Sequence, residues 1–201
     1  MKTLNQYIKE KLIINQRFDE KLIINKNYND SSISPKSFDE LRKIIEDRYD
    51  KLGPGTEQNP IDFNDIDVSN LDSFCNNRNK GIFQNTKFKY IDISDWDVSN
   101  VKMMICMFVN CEELKSVGDI SKWDVSNVKS MRSMFFNCKE LESVGDISNW
   151  NVSNVIDMTA MFAKCKSFNQ DLSDWDLLKL KFKMYMFDKC LIKDEYKPKF
   201  K

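Results

Sequence analysis

A phrase of about 27 residues recurs through the second half of the chain and constrains what the rest can fold into. Its clearest copy, residues 119–141, reads D-I-S-K-W-D-V-S-N-V-K-S-M-R-S-M-F-F-N-C-K-E-L. The four tryptophans, Trp96, Trp123, Trp150 and Trp175, head one copy each at spacings of 27, 27 and 25 residues. Cys111, Cys138, Cys165 and Cys190 follow fifteen residues after each Trp, and a Met-Phe pair recurs at Met107-Phe108, Met134-Phe135, Met161-Phe162 and Met186-Phe187. A unit of this size cannot bury its apolar side alone, whereas stacked copies make a continuous core. Residues that recur in every copy are therefore read first as columns of a stack.

Within a copy, D-I-S-x-W-D-V alternates apolar and polar residues, which predicts a short strand with its turn. Val128, Met131, Met134, Phe135 and Cys138 fall at three- and four-residue spacings, which predicts a helix of about three turns. The expected fold class is thus α/β: a short solenoid of stacked units with a strand and a helix per unit and an N-terminal helical cap. A degenerate first copy begins at Asp65, with Ile66 in the Trp column, Ile82-Phe83 in the Met-Phe column and a polar insertion over 76–81. The last copy decays into Leu177-Leu-Lys-Leu180. The expected organisation is a leader helix and linker at 1–34, a helical cap at 35–60, one degenerate and four recognisable units over 61–192, and a charged tail at 193–201.

The cap is predicted from Ser37-Phe-Asp-Glu40, which has the spacing of a capping box, followed by Phe38, Leu41, Ile44, Ile45 and Leu52 on one helical face with charged residues opposite. Gly53-Pro54-Gly55 stops it. In the leader, Leu4, Ile8 and Leu12 predict a helix over 3–14, and the duplicated E-K-L-I-I-N runs at 10–15 and 20–25 fit either helix or strand.

Charge and composition exclude several functions. Lys+Arg equals Asp+Glu at 31 each, and residues 1–60 carry 11 basic against 10 acidic side chains, so no basic surplus marks a nucleic-acid binder. Histidine is absent, which removes the usual near-neutral base and the commonest zinc ligand. No apolar run is long enough to span a bilayer, and the polar start lacks the apolar core of a secretory signal, so a cytoplasmic protein with free thiols is expected.

The chemically suggestive columns each have a plainer reading. The column cysteines read as core packing, with oxidation-sensitive thiols or metal binding as alternatives. The Met stripe reads as core rather than as copper or haem ligands. The Trp column reads as buried, with an outward carbohydrate-stacking ladder as the alternative. Asp92, Asp119, Asp146 and Asp171, with Asp97, Asp124 and Asp176 in a second column broken by Asn151, read as turn and cap acceptors rather than as a calcium site. No cofactor, metal or catalytic residue is assigned, and an enzyme is not expected. The pairs before each Trp remain as a candidate partner-binding face: Ser94-Asp95, Ser121-Lys122, Ser148-Asn149 and Ser173-Asp174. The expected partner is another protein, and the sequence leaves the oligomeric state open.

These columns resemble the BspA-type leucine-rich-repeat family, whose short repeat runs D-I-S-x-W-D-V-S-N-V-x-x-M-x-x-M-F, and M-F-F-N-C-K-E-L-E-S-V at 134–144 is similar to the related treponemal phrase A-F-x-x-C-x-x-L-x-x-I. The resemblance covers about 65–192 in register. It implies that the α/β stack is a short leucine-rich-repeat-like solenoid used for protein or surface binding, with no catalytic residues to carry over. The opening M-K-T-L-N-Q-Y-I-K-E-K-L is similar to capsid-targeting leaders of T-even-like phages. That likeness implies, as the alternative, a structural or packaged component of a phage particle located in the virion.

Overall fold

Along residues 131–138 and their counterparts every second backbone N–H leaves its own unit, and this alternation ties the copies together. The computed structural model describes residues 33–200. The expectations for the leader helix over 3–14, the E-K-L-I-I-N runs and the phage-type leader lie outside the described residues.

The N–H groups of Met131, Ser133, Phe135 and Asn137 donate to the carbonyls of Asp157, Thr159, Met161 and Ala163 in the next unit at 2.8–3.0 Å. The N–H groups between them turn back three residues, Met134 to Met131, Phe136 to Ser133 and Cys138 to Phe135, each at 3.1 Å. The same pattern joins Met104, Cys106, Phe108 and Asn110 to the unit at 130–136, and Met158, Ala160, Phe162 and Lys164 to the unit at 182–188. Parallel bridges follow one column, Ser73↔Met103↔Ser130↔Asp157↔Phe182, and a second, Tyr90↔Ser116↔Ser143. Two short parallel strands, β1 (Ile61–Asp62) and β2 (Ile91–Asp92), lie beside the second column in the register Ile61↔Ile91.

The helix expected at 128–138 in each unit is not formed, for a reason visible in the backbone. An α-helix needs every N–H to reach four residues back and every residue to hold negative φ. Here Ser133 and Asn137 have φ of 54° and 62°, as do Cys106 and Asn110 (57° and 59°) and Ala160 and Lys164 (55° and 64°) in neighbouring copies. Tight turns ending in left-handed residues give the same three- and four-residue apolar spacing, and Val128, Met131, Met134, Phe135 and Cys138 are all buried. The expected strand at D-I-S-x-W is likewise mostly turn: it is extended at Ile91–Asp92 and a 3-10 turn at Ile147–Asn149.

Side chains follow the backbone register. Phe83, Phe108, Phe135, Phe162 and Phe187 stack face to face, with centroids 5.1, 5.2, 5.5 and 5.9 Å apart. The first four are wholly buried, each worth roughly 1.5–3 kcal/mol of apolar transfer. Phe83 belongs to the degenerate first copy, where Ile66 is buried and its N–H donates to Phe63 O at 3.1 Å, as Trp96 N–H does to Ile93 O. Gly145, at φ 81°, sits where an added Cβ would run into the Asp119 carboxylate of the preceding copy.

Among the described residues the one α-helix is α1, Phe38–Leu52. Ser37 caps it, its Oγ accepting from Glu40 N–H at 3.2 Å, while the Glu40 carboxylate accepts from Lys36 N–H at 2.8 Å rather than from Ser37 as in a reciprocal box. Leu41, Ile45 and Leu52 enter the core, and Tyr49 packs edge-on against Phe88 at 5.0 Å. Arg48 lies on that same buried face, although the sequence assigned charged residues to the opposite one. It is 1 % exposed and pairs with Asp65 at 2.6 and 2.9 Å, donates to Asp62 O at 2.5 Å, and lies 4.9 Å from the Phe63 ring centroid.

Candidate functional site

The eight residues before the tryptophans fall into two classes. Ser94, Ser121, Ser148 and Ser173 are half-buried, and each donates its N–H to the aspartate two residues earlier, Asp92, Asp119, Asp146 and Asp171, at 2.9–3.1 Å. These are Asx turns, in which a carboxylate replaces the backbone acceptor that a tight turn lacks. Bonding from the Ser121 side chain and then its amide holds the Asp119 carboxyl below the usual range, and Ser173 does the same for Asp171. The second column behaves alike: Asp97, Asp124 and Asp176 accept from Ser99, Ser126 and Leu178, and Asn151 takes the same role toward Ser153. The carboxylates are thereby occupied as turn acceptors, and among the described residues no group of three or more carboxylates or thiols converges to hold a metal ion.

Asp95, Lys122, Asn149 and Asp174 are the exposed members, one per unit at the same turn. They run acidic, basic, neutral and acidic, and have no shared bonding role. The register of the stack therefore places them as neighbours in successive copies.

The remaining columns face inward. Trp96, Trp123, Trp150 and Trp175 are 3–5 % exposed, and each indole Nε1 donates to a carbonyl of the preceding unit: Phe63, Ile93, Ile120 and Ile147 at 2.8–3.2 Å. No ring face is left for a sugar. Cys111, Cys138 and Cys165 donate their thiols to the carbonyls of Phe83, Phe108 and Phe135, all at 3.0 Å. Burial pushes Cys111 up to about 11 and Cys138 and Cys165 further in the same direction, which keeps them protonated and poor nucleophiles. Cys190 is half-buried and reaches Phe168 O at 3.7 Å, and all six cysteines are free.

Two asparagine ladders escaped the sequence reading. Asn100, Asn127 and Asn154 donate their side-chain amides to Ser69 O, Ser99 O and Ser126 O at 2.7–2.9 Å. Asn137 and Asn110 donate in turn to Asn110 and Asn85 at 3.0 and 3.1 Å. The signal was present as the Asn of V-S-N in four copies and the Asn two residues after Phe83, Phe108 and Phe135, since an amide both donates and accepts and can link identical positions.

Beyond the columns, a cleft of about 350 Å³ between α1 and the first unit is lined by Arg42, Glu46, Tyr49, Asn85 and Lys87, and none of these is a repeat-column cysteine or tryptophan. No described helix is long and apolar enough to cross a membrane.

Residues 76–197 match the family described as "Mycoplasma protein of unknown function, DUF285". No curated protein and no solved structure matches the chain. The match spans more than half of the sequence, and the chain belongs to this family of BspA-like mycoplasma repeats.

Proposed function

We propose that this DUF285-family chain is a non-enzymatic protein-interaction module: a short solenoid of the leucine-rich-repeat kind, covered at one end by α1, that binds another protein through the row Asp95, Lys122, Asn149 and Asp174. One observation carries the reading. The repeated turn carboxylates, indoles and column thiols are bonded within the stack, whereas the residues that change from copy to copy at the exposed turn have no such role. A rigid row of dissimilar side chains, held in register by the units beneath, reads a partner by shape and charge pattern with little ordering cost on binding. The buried, protonated thiols and the carboxylates committed to turns support the non-enzymatic part of the reading.

The test is site-specific photo-crosslinking in cells that produce the chain, with the probe placed in turn at positions 95, 122, 149 and 174 and, as a control, at exposed Glu140. The expected result is one protein crosslinked from two or more of the four positions and lost when Asp95, Lys122 and Asp174 are charge-reversed. Equal crosslinking from position 140, or none from the row, overturns the proposal.

A further inference from the structure

The two ends of the hydrogen-bond ladder are finished differently. Along residues 131–137 and their counterparts each unit gives N–H groups forward and receives them on its carbonyls, so in that stretch the first unit has surplus acceptors and the last surplus donors. At the first unit, the carbonyls of Ile82 and Gln84 correspond to Met107 O and Val109 O, which accept from Phe83 and Asn85 in the copy before. No copy precedes Ile82 and Gln84, and Arg42 of α1 takes that role, its Nη1 donating to Ile82 O at 2.6 Å and Gln84 O at 3.1 Å. A guanidinium, with its several donors and no acceptor, suits an edge made only of carbonyls.

At the other end, the N–H groups of Lys183, Tyr185, Phe187 and Lys189 occupy the positions of Met158, Ala160, Phe162 and Lys164, and none has an acceptor among the described residues. Over 183–189 the unit's own carbonyls are used inward, Met186 N–H to Lys183 O and Asp188 N–H to Tyr185 O, so this stretch presents donors, with the Lys181 carbonyl, counterpart of Ile156 O, just before it. The segment after it leaves the donors open: Tyr196 O accepts from Leu172 N–H at 2.8 Å on the Trp175 side of the unit, and only the Phe200 ring returns, lying 4.5 Å from Lys183 Nζ. Around the open donors stand Phe182, Met184 and Tyr185 at 57, 64 and 66 % exposure, where earlier copies carry Asp157, Thr159 and Ala160. Lys183 replaces the buried Met158 of its column, and residues 179–184 alternate Lys-Leu-Lys-Phe-Lys-Met. Residues 177–200 hold seven lysines against three acidic side chains in a chain of zero net charge.

We propose that the 182–189 edge docks an extended acidic segment of another protein. Its backbone carbonyls take the four N–H groups, its acidic side chains meet Lys181, Lys183 and Lys189, and its apolar side chains cover Phe182 and Met184. The inference concerns a surface other than the Asp95–Asp174 row and stands apart from it. A second copy of this chain does not fit. Head-to-head contact sets donors against donors and lysines against lysines, and head-to-tail contact needs the carbonyls Arg42 already holds. Lysines alone would be ordinary protection of an edge against aggregation, but that role does not explain three large apolar side chains left bare among them.

The experiment is amide hydrogen exchange on the full chain with two synthetic octapeptides, one alternating glutamate and valine and one alternating lysine and valine. The glutamate peptide is expected to slow exchange at 183, 185, 187 and 189 by about tenfold or more, weakening as salt rises, and the lysine peptide to leave it unchanged. Lys181→Glu with Lys183→Glu, both at exposed positions, is expected to reverse the preference. Unchanged exchange with the glutamate peptide, equal protection by both peptides, or protection by phosphatidylserine vesicles without any by the peptide each overturns the proposal.

Discussion

The Cys138 thiol donates to the carbonyl of Phe108, one unit earlier, at 3.0 Å, and Cys111 and Cys165 repeat the relationship toward Phe83 and Phe135 at the same distance. The sulfur is at once a core hydrophobe and a cross-unit donor. Cys138→Ala removes the bond and leaves a small cavity, so a loss of about 1.5–3 kcal/mol is expected in urea denaturation. Burial also sets an order of reactivity. Alkylation of the native chain followed by mass spectrometry should modify half-buried Cys106 and Cys190 well before Cys111, Cys138 and Cys165. Labelling of Cys138 at the rate of Cys106 would show that the unit opens far more readily than its packing implies.

Trp123 carries two separable contributions, its ring area and its Nε1 bond to Ile93 O at 3.2 Å. Trp123→Ala is expected to lose about 3–5 kcal/mol, and Trp123→Phe a clearly smaller amount because an aromatic ring remains against Trp150. Equilibrium unfolding of the two variants separates the terms. An alanine loss below about 1 kcal/mol would contradict the burial of the column.

Arg48 and Asp65 are 1 % and 4 % exposed on their side chains. Removing one partner strands the other, so Arg48→Ala should cost about 3–5 kcal/mol, whereas Arg48→Met combined with Asp65→Leu should recover most of it. A double variant as unstable as the single one would locate the contribution in the Arg48 bond to Asp62 O instead.

The turn carboxylates predict an acid limb. Asp67, Asp119 and Asp124 are held below the ordinary range, first by the side chains and then by the amides of Ser69, Ser121 and Ser126. A folded pKa below the unfolded value contributes stability above about pH 3.9, and that stability is lost as pH falls through the folded values. Melting temperature should therefore drop below about pH 4. Asp119→Asn with Asp124→Asn should flatten the drop with little change at pH 7, because Asn151 already fills this turn, accepting from Ser153 N–H at 3.3 Å and Oγ at 2.7 Å. An unaltered acid limb in that variant would assign it to other groups.

What the sequence revealed was order, and what it hid was conformation. The period, the Phe and Trp columns, the first copy with Ile66 for Trp and the Ser37 cap are all matters of residue type at a fixed spacing. The conformation at 128–138 was not legible, because apolar residues at three- and four-residue intervals arise from a helix and equally from turns ending in left-handed residues such as Ser133 and Asn137. Arg42 and Arg48 were hidden for another reason: a charged residue on a short helix reads as solvent-facing until a partner brought close by the fold, here Gln84 O or Asp65, is known. In the candidate row, variation at Asp95, Lys122, Asn149 and Asp174 was readable, but the commitment of the neighbouring serines to Asx turns needed the backbone.

Because the backbone N–H groups over 131–138 and its counterparts either cross to the adjoining copy or close within three residues, a unit has commitments only to the two beside it. Excising one full period, 119–145, would bring Asp92's copy against Asp146's with each donor still opposite a carbonyl. The 25-residue step from Trp150 to Trp175 shows that a loop can give up two residues, but a cut that shifts the register within 128–138 would put donors opposite side chains instead. Length in such a chain is a quantity changed by whole copies, so duplication and deletion of one period alter reach without redesigning the interior.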